Sequence, residues 1–152
     1  MAAVTAVQDI NDAMTAEIAA ELGVSYSELS YIYDVSQNNF RQSRARYGVR
    51  PLSSIELNGV VKNLTHVQTF EVVLTEGYIE SKIGDSKIQD KVFVASENMH
   101  KIFKRVVNNK AGVPATVLDI SNLIISEPEI LTEEKLVVLR ASLDVMYRIS
   151  LI

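Results

Sequence analysis

Four arginines fall within ten residues, Arg41, Arg44, Arg46 and Arg50, with Tyr47 among them, and no signal elsewhere in this chain of 152 residues is as strong. Guanidinium groups bind phosphates and an aromatic ring stacks on a base, so one reading is contact with nucleic acid. Guanidinium forks also match carboxylates, which gives a second reading, pairing with the acidic face of a sister subunit. A solvated loop without a partner is the third. The sequence pI of about 5.2 weighs against a dedicated nucleic-acid domain, which is ordinarily basic.

Glu127, Glu129, Glu133 and Glu134 form the opposite feature. They lack the aspartates of a calcium loop, so they do not read as a cation site. If the protein makes a ring, these acids would line its lumen and keep DNA phosphates off the wall. Two histidines, His66 and His100, have no cysteine to join them and no carboxylate pair at ligand spacing, so a metal site is not expected. No Gly-x-Ser-x-Gly turn, phosphate loop or dinucleotide fingerprint occurs. The sequon Asn63-Leu64-Thr65 reads as accidental. Catalysis is therefore not expected, and neither is a cofactor.

The rest of the composition fits a single globular domain spanning residues 1–152. Hydrophobic residues make up 47% and charged residues 22%, and there is no cysteine, which removes disulfides and thiolate chemistry. No Lys or Arg precedes Arg41 and no apolar run reaches membrane-helix length, so a soluble protein is expected. The net charge of −4 is unevenly spread. Residues 1–35 hold six acids and no Lys or Arg, whereas residues 36–65 hold five basic residues and one acid. Such zones suit head-to-tail contacts with a neighbouring copy, or are two solvated surfaces.

The elements that must position these residues are legible in outline. Val4, Val7, Ile10, Met14, Ile18 and Leu22 recur at helical steps, predicting a helix over 6–22 that stops at Gly23. Leu29 to Val35 reads as a strand, followed by a long irregular loop at about 36–65 that carries the arginines. Val67 to Ile79 is a second strand, with Phe70, Val72, Leu74 and Tyr78 on one face. Ser86 and Gln89 have capping-box spacing and open a helix to about Asn108, which Gly112 and Pro114 terminate. Thr116 to Ile125 is a third strand. Leu136 to Ile149 is the fourth, with Val137, Leu139, Ala141, Leu143, Val145, Tyr147 and Ile149 on its core face. The expected fold class is α+β: an N-terminal helix plus a mostly antiparallel four-stranded sheet, β-β-α-β-β, packed by helices.

Four runs carry a resemblance. Ala45-Arg46-Tyr47-Gly48-Val49-Arg50-Pro51, Gln68-Thr69-Phe70-Glu71-Val72-Val73-Leu74-Thr75, Lys110-Ala111-Gly112-Val113-Pro114 and Val137-Val138-Leu139-Arg140-Ala141-Ser142-Leu143 resemble tail terminator, or tail-completion (head–tail joining), proteins of tailed bacteriophages. The resemblance implies a structural virion protein in the tail or neck, assembled in the host cytoplasm. It implies a homomeric, typically hexameric, ring that caps the tail tube. Its partners would be the tube protein, a head-completion or neck protein, and in contractile phages the sheath. Double-stranded DNA would pass through the lumen without specific binding, and no membrane is involved. The segment with Arg41, Arg44, Arg46, Tyr47 and Arg50 would touch the tube or a neighbouring subunit. Another phage connector or tube ring, a small nucleic-acid-binding module using the arginines, and a small enzyme are the competing readings.

Overall fold

Among the residues that the computed structural model describes, 6–30, 32–33, 45–60, 63–78 and 86–150, two helices pack on a six-stranded mixed sheet. The order is α1 (Ala6–Leu22), β1 (Ser27–Glu28), β2 (Arg46–Val60), β3 (Asn63–Gly77), α2 (Ser86–Asn108), a 3₁₀ turn (Lys110–Gly112), β4 (Val117–Ile125), β5 (Glu129–Leu131) and β6 (Leu136–Ser150). The sheet runs β1-β2-β3-β6-β4, and β5 bonds to β6. Because β3 takes one edge of β6, β4 and β5 share the other, opposite residues 141–147 and 136–138.

This sheet corrects the expected one. It is larger than four strands, and β1 runs parallel to β2. The stretch read as a loop is a strand from Arg46 onward, paired antiparallel with β3. Its alternation is hidden in the sequence because the register shifts between Pro51 and Ser54 and again between Glu56 and Asn58. The strand expected over Leu29 to Val35 is not formed in its described part: only Ser27–Glu28 pairs, and the chain then bends at Ser30, Ile32 and Tyr33. Pro51 is tolerated because β2 lies at the sheet margin. It shares parity with Tyr47, whose carbonyl accepts from the Leu29 N–H across the outer edge, so the missing donor costs no bond to β3.

The core lies between the helices and one face of the sheet. Ile10, Met14 and Ile18 of α1 and Ala95, Met99, Ile102, Phe103 and Val106 of α2 are buried against Phe70, Val72 and Leu74 of β3 and against Leu139, Ala141, Leu143, Val145 and Tyr147 of β6. Phe70 pairs with Leu143, Val72 with Ala141 and Leu74 with Leu139, so the helix-facing rows of the two strands coincide. Each such large apolar side chain contributes roughly 1.5–3 kcal/mol on burial. Arg105 Nε donates to Glu17 Oε2 at 2.7 Å and ties α2 to α1. The turn after α2 approaches α1 closely. A Cβ on Gly112 would stand 3.2 Å from that of Ala13, and its φ of 82° already favours glycine.

The sheet's other face is not simply wet. Leu29, Val73, Leu136 and Val138 form a second cluster there, with Ile32 and Leu131 against it. Gly48 makes room for that cover, since a Cβ at this position would meet Ile32 Cδ1 at 2.8 Å.

Candidate functional site

The β2 strand divides the arginine cluster by alternation. Tyr47 turns inward and is buried in the core, and burial first, then the nearby Glu28 charge, pushes its phenol up from its ordinary value. Arg46 and Arg50 fall on the opposite face. The Arg46 N–H donates to Thr75 Oγ1 at 3.1 Å. Arg41 and Arg44 lie outside the described residues.

On that outer face Arg50 is already engaged. Its Nε donates to Glu71 Oε1 at 2.8 Å, and the Tyr33 ring lies 5.2 Å from its guanidinium. Arg140 donates to the same Oε1 at 3.1 Å. One carboxylate, with its side chain only 14% exposed, thus bridges guanidinium groups from β2 and β6 and leaves one net positive charge. A second link continues the band: Thr69 Oγ1 donates to Asp144 Oδ1 at 2.6 Å, and Asn122 Nδ2 donates to Asp144 Oδ2 at 2.8 Å. Polar bonds therefore cross β2, β3, β6 and β4. Charge-assisted bonds of this kind are among the stronger hydrogen bonds, so these groups are engaged within the sheet.

The acids expected at a lumen lie on two neighbouring turns. Glu127 and Glu129 flank Pro128, Glu129 being the first residue of β5, and Glu133 and Glu134 lie in the turn before β6. All are exposed except Glu134, which is half-buried. Pro128 and Ile130 also line an open groove of about 610 Å³ whose other wall is Ile88, Gln89, Val92 and Phe93 of α2. Along β4, the strand that leads into the first of these turns, Leu118, Leu123 and Ile124 are exposed apolar residues.

One buried polar cluster escaped the sequence reading. Glu76 has the parity of Phe70, Val72 and Leu74, and is 4% exposed. The Tyr26 hydroxyl donates to its Oε2, and Asn98 Nδ2 of α2 donates to the Tyr26 oxygen at 2.9 Å. Burial raises the Glu76 carboxyl, while the Tyr26 bond and the Lys91 charge pull it partly back. Burial and the Glu76 contact drive the Tyr26 phenol upward too. A carboxylate at a core parity was the available signal. Its partners come from the loop after α1 and from α2, so the cluster fastens three parts of the fold together.

His66 stacks on Tyr147 with centroids 5.7 Å apart, and His100 is exposed on α2. Among the described residues no group of three or more His, Asp or Glu side chains is placed to hold a metal ion, and no helix is long and apolar enough to cross a membrane. No protein-family model and no curated protein matches this chain.

Proposed function

We propose that this protein is a ring-forming component of the head–tail junction of a tailed bacteriophage, a tail terminator. The observation that carries the reading is a convergence. Three of the four runs that resemble terminators, 45–51, 68–75 and 137–143, lie on β2, β3 and β6, which are adjacent strands. Val49, Val72 and Ala141 stand in one row across them. The fourth run, 110–114, contains the left-handed turn that seats the end of α2 against α1. The similarity therefore falls on one scaffold and not on scattered surface segments.

The mechanism is mechanical. A heterologous contact closes identical subunits into a ring, the ring stops tube growth at one end, and its centre leaves a channel for DNA. The four acids on the turns around β5 would line that channel. The tube protein binds one face of the ring and a neck protein the other. Another connector or tube ring would use the same scaffold, but a tube protein polymerises without limit whereas a terminator stops at one ring or a stacked pair. The nucleic-acid reading loses weight because Arg50 is spent on Glu71.

The test is the mass of the purified protein over a concentration series, with electron microscopy of the same samples and of samples mixed with tail tubes. Discrete rings, free or on tube ends, are expected. A chain that stays monomeric even with tubes, and binds DNA with a steep salt dependence that substitution of Arg41, Arg44 and Arg46 removes, would overturn the reading.

A further inference from the structure

Helix α2 packs into the core with one side and leaves the other bare along most of its length. Phe93, Glu97, His100, Lys104 and Val107 are all exposed and follow one another at steps of three and four, so they form one stripe. Phe93, at 61%, and Val107, at 38%, are apolar side chains left in water near its two ends.

The stripe is polarised. Asp90 and Glu97 lie toward its start, Lys101 and Lys104 toward its end, and Lys110 follows in the 3₁₀ turn. Residues 98–110 hold four basic residues and no acid. The helix dipole favours acids in the first turn and cations in the last. It does not account for this pattern, because the first turn of α2 carries no acid and Glu97, Lys101 and Lys104 lie outside both end turns. These charges are also available. Among the described residues Asp90, Lys104 and Lys110 make no ion pair, and Glu97 and Lys101 share only a solvent-exposed one at 3.7 Å, a kind that contributes little.

We infer that this stripe is a self-association surface, on which α2 of a second copy lies antiparallel about a two-fold axis beside His100. Phe93 and Val107 are equidistant from His100 in sequence, so an antiparallel copy sets each against the other. The same register brings Glu97 to Lys104 of the second copy and Asp90 to its Lys110. A parallel copy in register would set acid on acid and lysine on lysine, so charge selects the antiparallel one. The contact is isologous, and each pairing occurs twice. It is separate from the heterologous contact that would close a ring, and it joins two copies whether or not a ring forms. One helix stripe makes a small interface, so the dissociation constant is expected on the order of 10 μM.

Disulfide trapping tests the geometry, and the chain has no cysteine of its own to interfere. A disulfide requires Cα atoms within about 7 Å of each other. His100→Cys, at the axis, is expected to oxidise readily to a covalent dimer. Phe93→Cys is the control, because its two copies would stand about 20 Å apart along the paired helices. Phe93→Cys mixed with Val107→Cys is expected to cross-link. All three sites are exposed, and unchanged circular dichroism is checked first. Charge reversal tests the occupant. Glu97→Lys and Lys104→Glu should each raise the dissociation constant at least about tenfold in sedimentation, and their equimolar mixture should recover a dimer, since the reversed charges then face each other. Phe93→Cys that cross-links as fast as His100→Cys, wild-type affinity in either charge variant, or a mixture that fails to recover overturns the contact. So does a wild-type chain that is monomeric at about 1 mM. None of these outcomes decides the ring reading, which rests on rings formed on tail tubes.

Discussion

The Tyr26 hydroxyl donates to the Glu76 carboxylate in a site where that carboxylate is almost wholly buried. The bond partly offsets the cost of holding a charge there, and Lys91 adds to it. Burial still wins, so the folded-state carboxyl lies above its ordinary value of 4.5. Such a group takes up a proton on folding, and its contribution to stability is full below the ordinary value and is lost as pH rises through the raised one.

Glu76→Gln removes that titration and keeps an acceptor for Tyr26. Its stability relative to wild type should rise with pH across the window that starts at 4.5 and runs upward. Urea unfolding from about pH 4 to about pH 8 reads the difference. Parallel pH profiles for the two proteins would refute the assignment.

Tyr26→Phe makes the complementary change. It leaves Glu76 without its donor and Asn98 without its acceptor, and should cost about 1–3 kcal/mol. Because the loop after α1, helix α2 and strand β3 meet at this oxygen, the loss should appear as a lower melting temperature for the whole domain. Faster hydrogen exchange confined to the loop after α1 would show that the tie is local.

Leu143→Asp probes the centre of the sheet. Leu143 is fully buried, faces Phe70 across the ladder and lies opposite the β4 bulge. An unpaired charge there should cost at least about 4 kcal/mol and leave an unfolded or aggregating chain. A folded, soluble variant by circular dichroism and gel filtration would show that the facing of β6 is wrong.

What the sequence revealed, and what it did not, follows from range. Both helices were legible to their ends: Ile10, Met14 and Ile18 repeat every four residues, and Gly23 and Gly112 mark stops. β6 was legible because its alternation is unbroken. β2 was not, because two register shifts scramble a strand that also contains Pro51 and Gly59. β1 and β5 span two and three residues and exist only because β2 and β6 offer them an edge. The same limit hid the outer-face band. Glu71 is 21 residues from Arg50 and 69 from Arg140, and only strand register brings the three together.

Glu71→Ala therefore tests whether that band is structural. Removing the shared carboxylate leaves two guanidinium groups facing each other and should cost about 1–3 kcal/mol. Added salt should recover part of the loss by screening the repulsion. A variant as stable as wild type at low salt would mean that the band leaves stability unchanged and that its arginines are free for a partner.

The acids on the turns around β5 test the channel of the proposed ring. If the proposed ring has Glu133 and Glu134 on its channel wall, neutralising them changes DNA passage and not assembly. Glu133→Gln with Glu134→Gln should leave the fold unchanged, since Glu133 is exposed and both lie in the turn between β5 and β6. It should slow DNA passage, because phosphates are no longer repelled from the wall and can dwell on it. Assembly is read by sedimentation and passage by the rate of genome ejection from particles carrying the variant. Ejection unchanged in the Glu133 and Glu134 double variant would remove these acids from the channel.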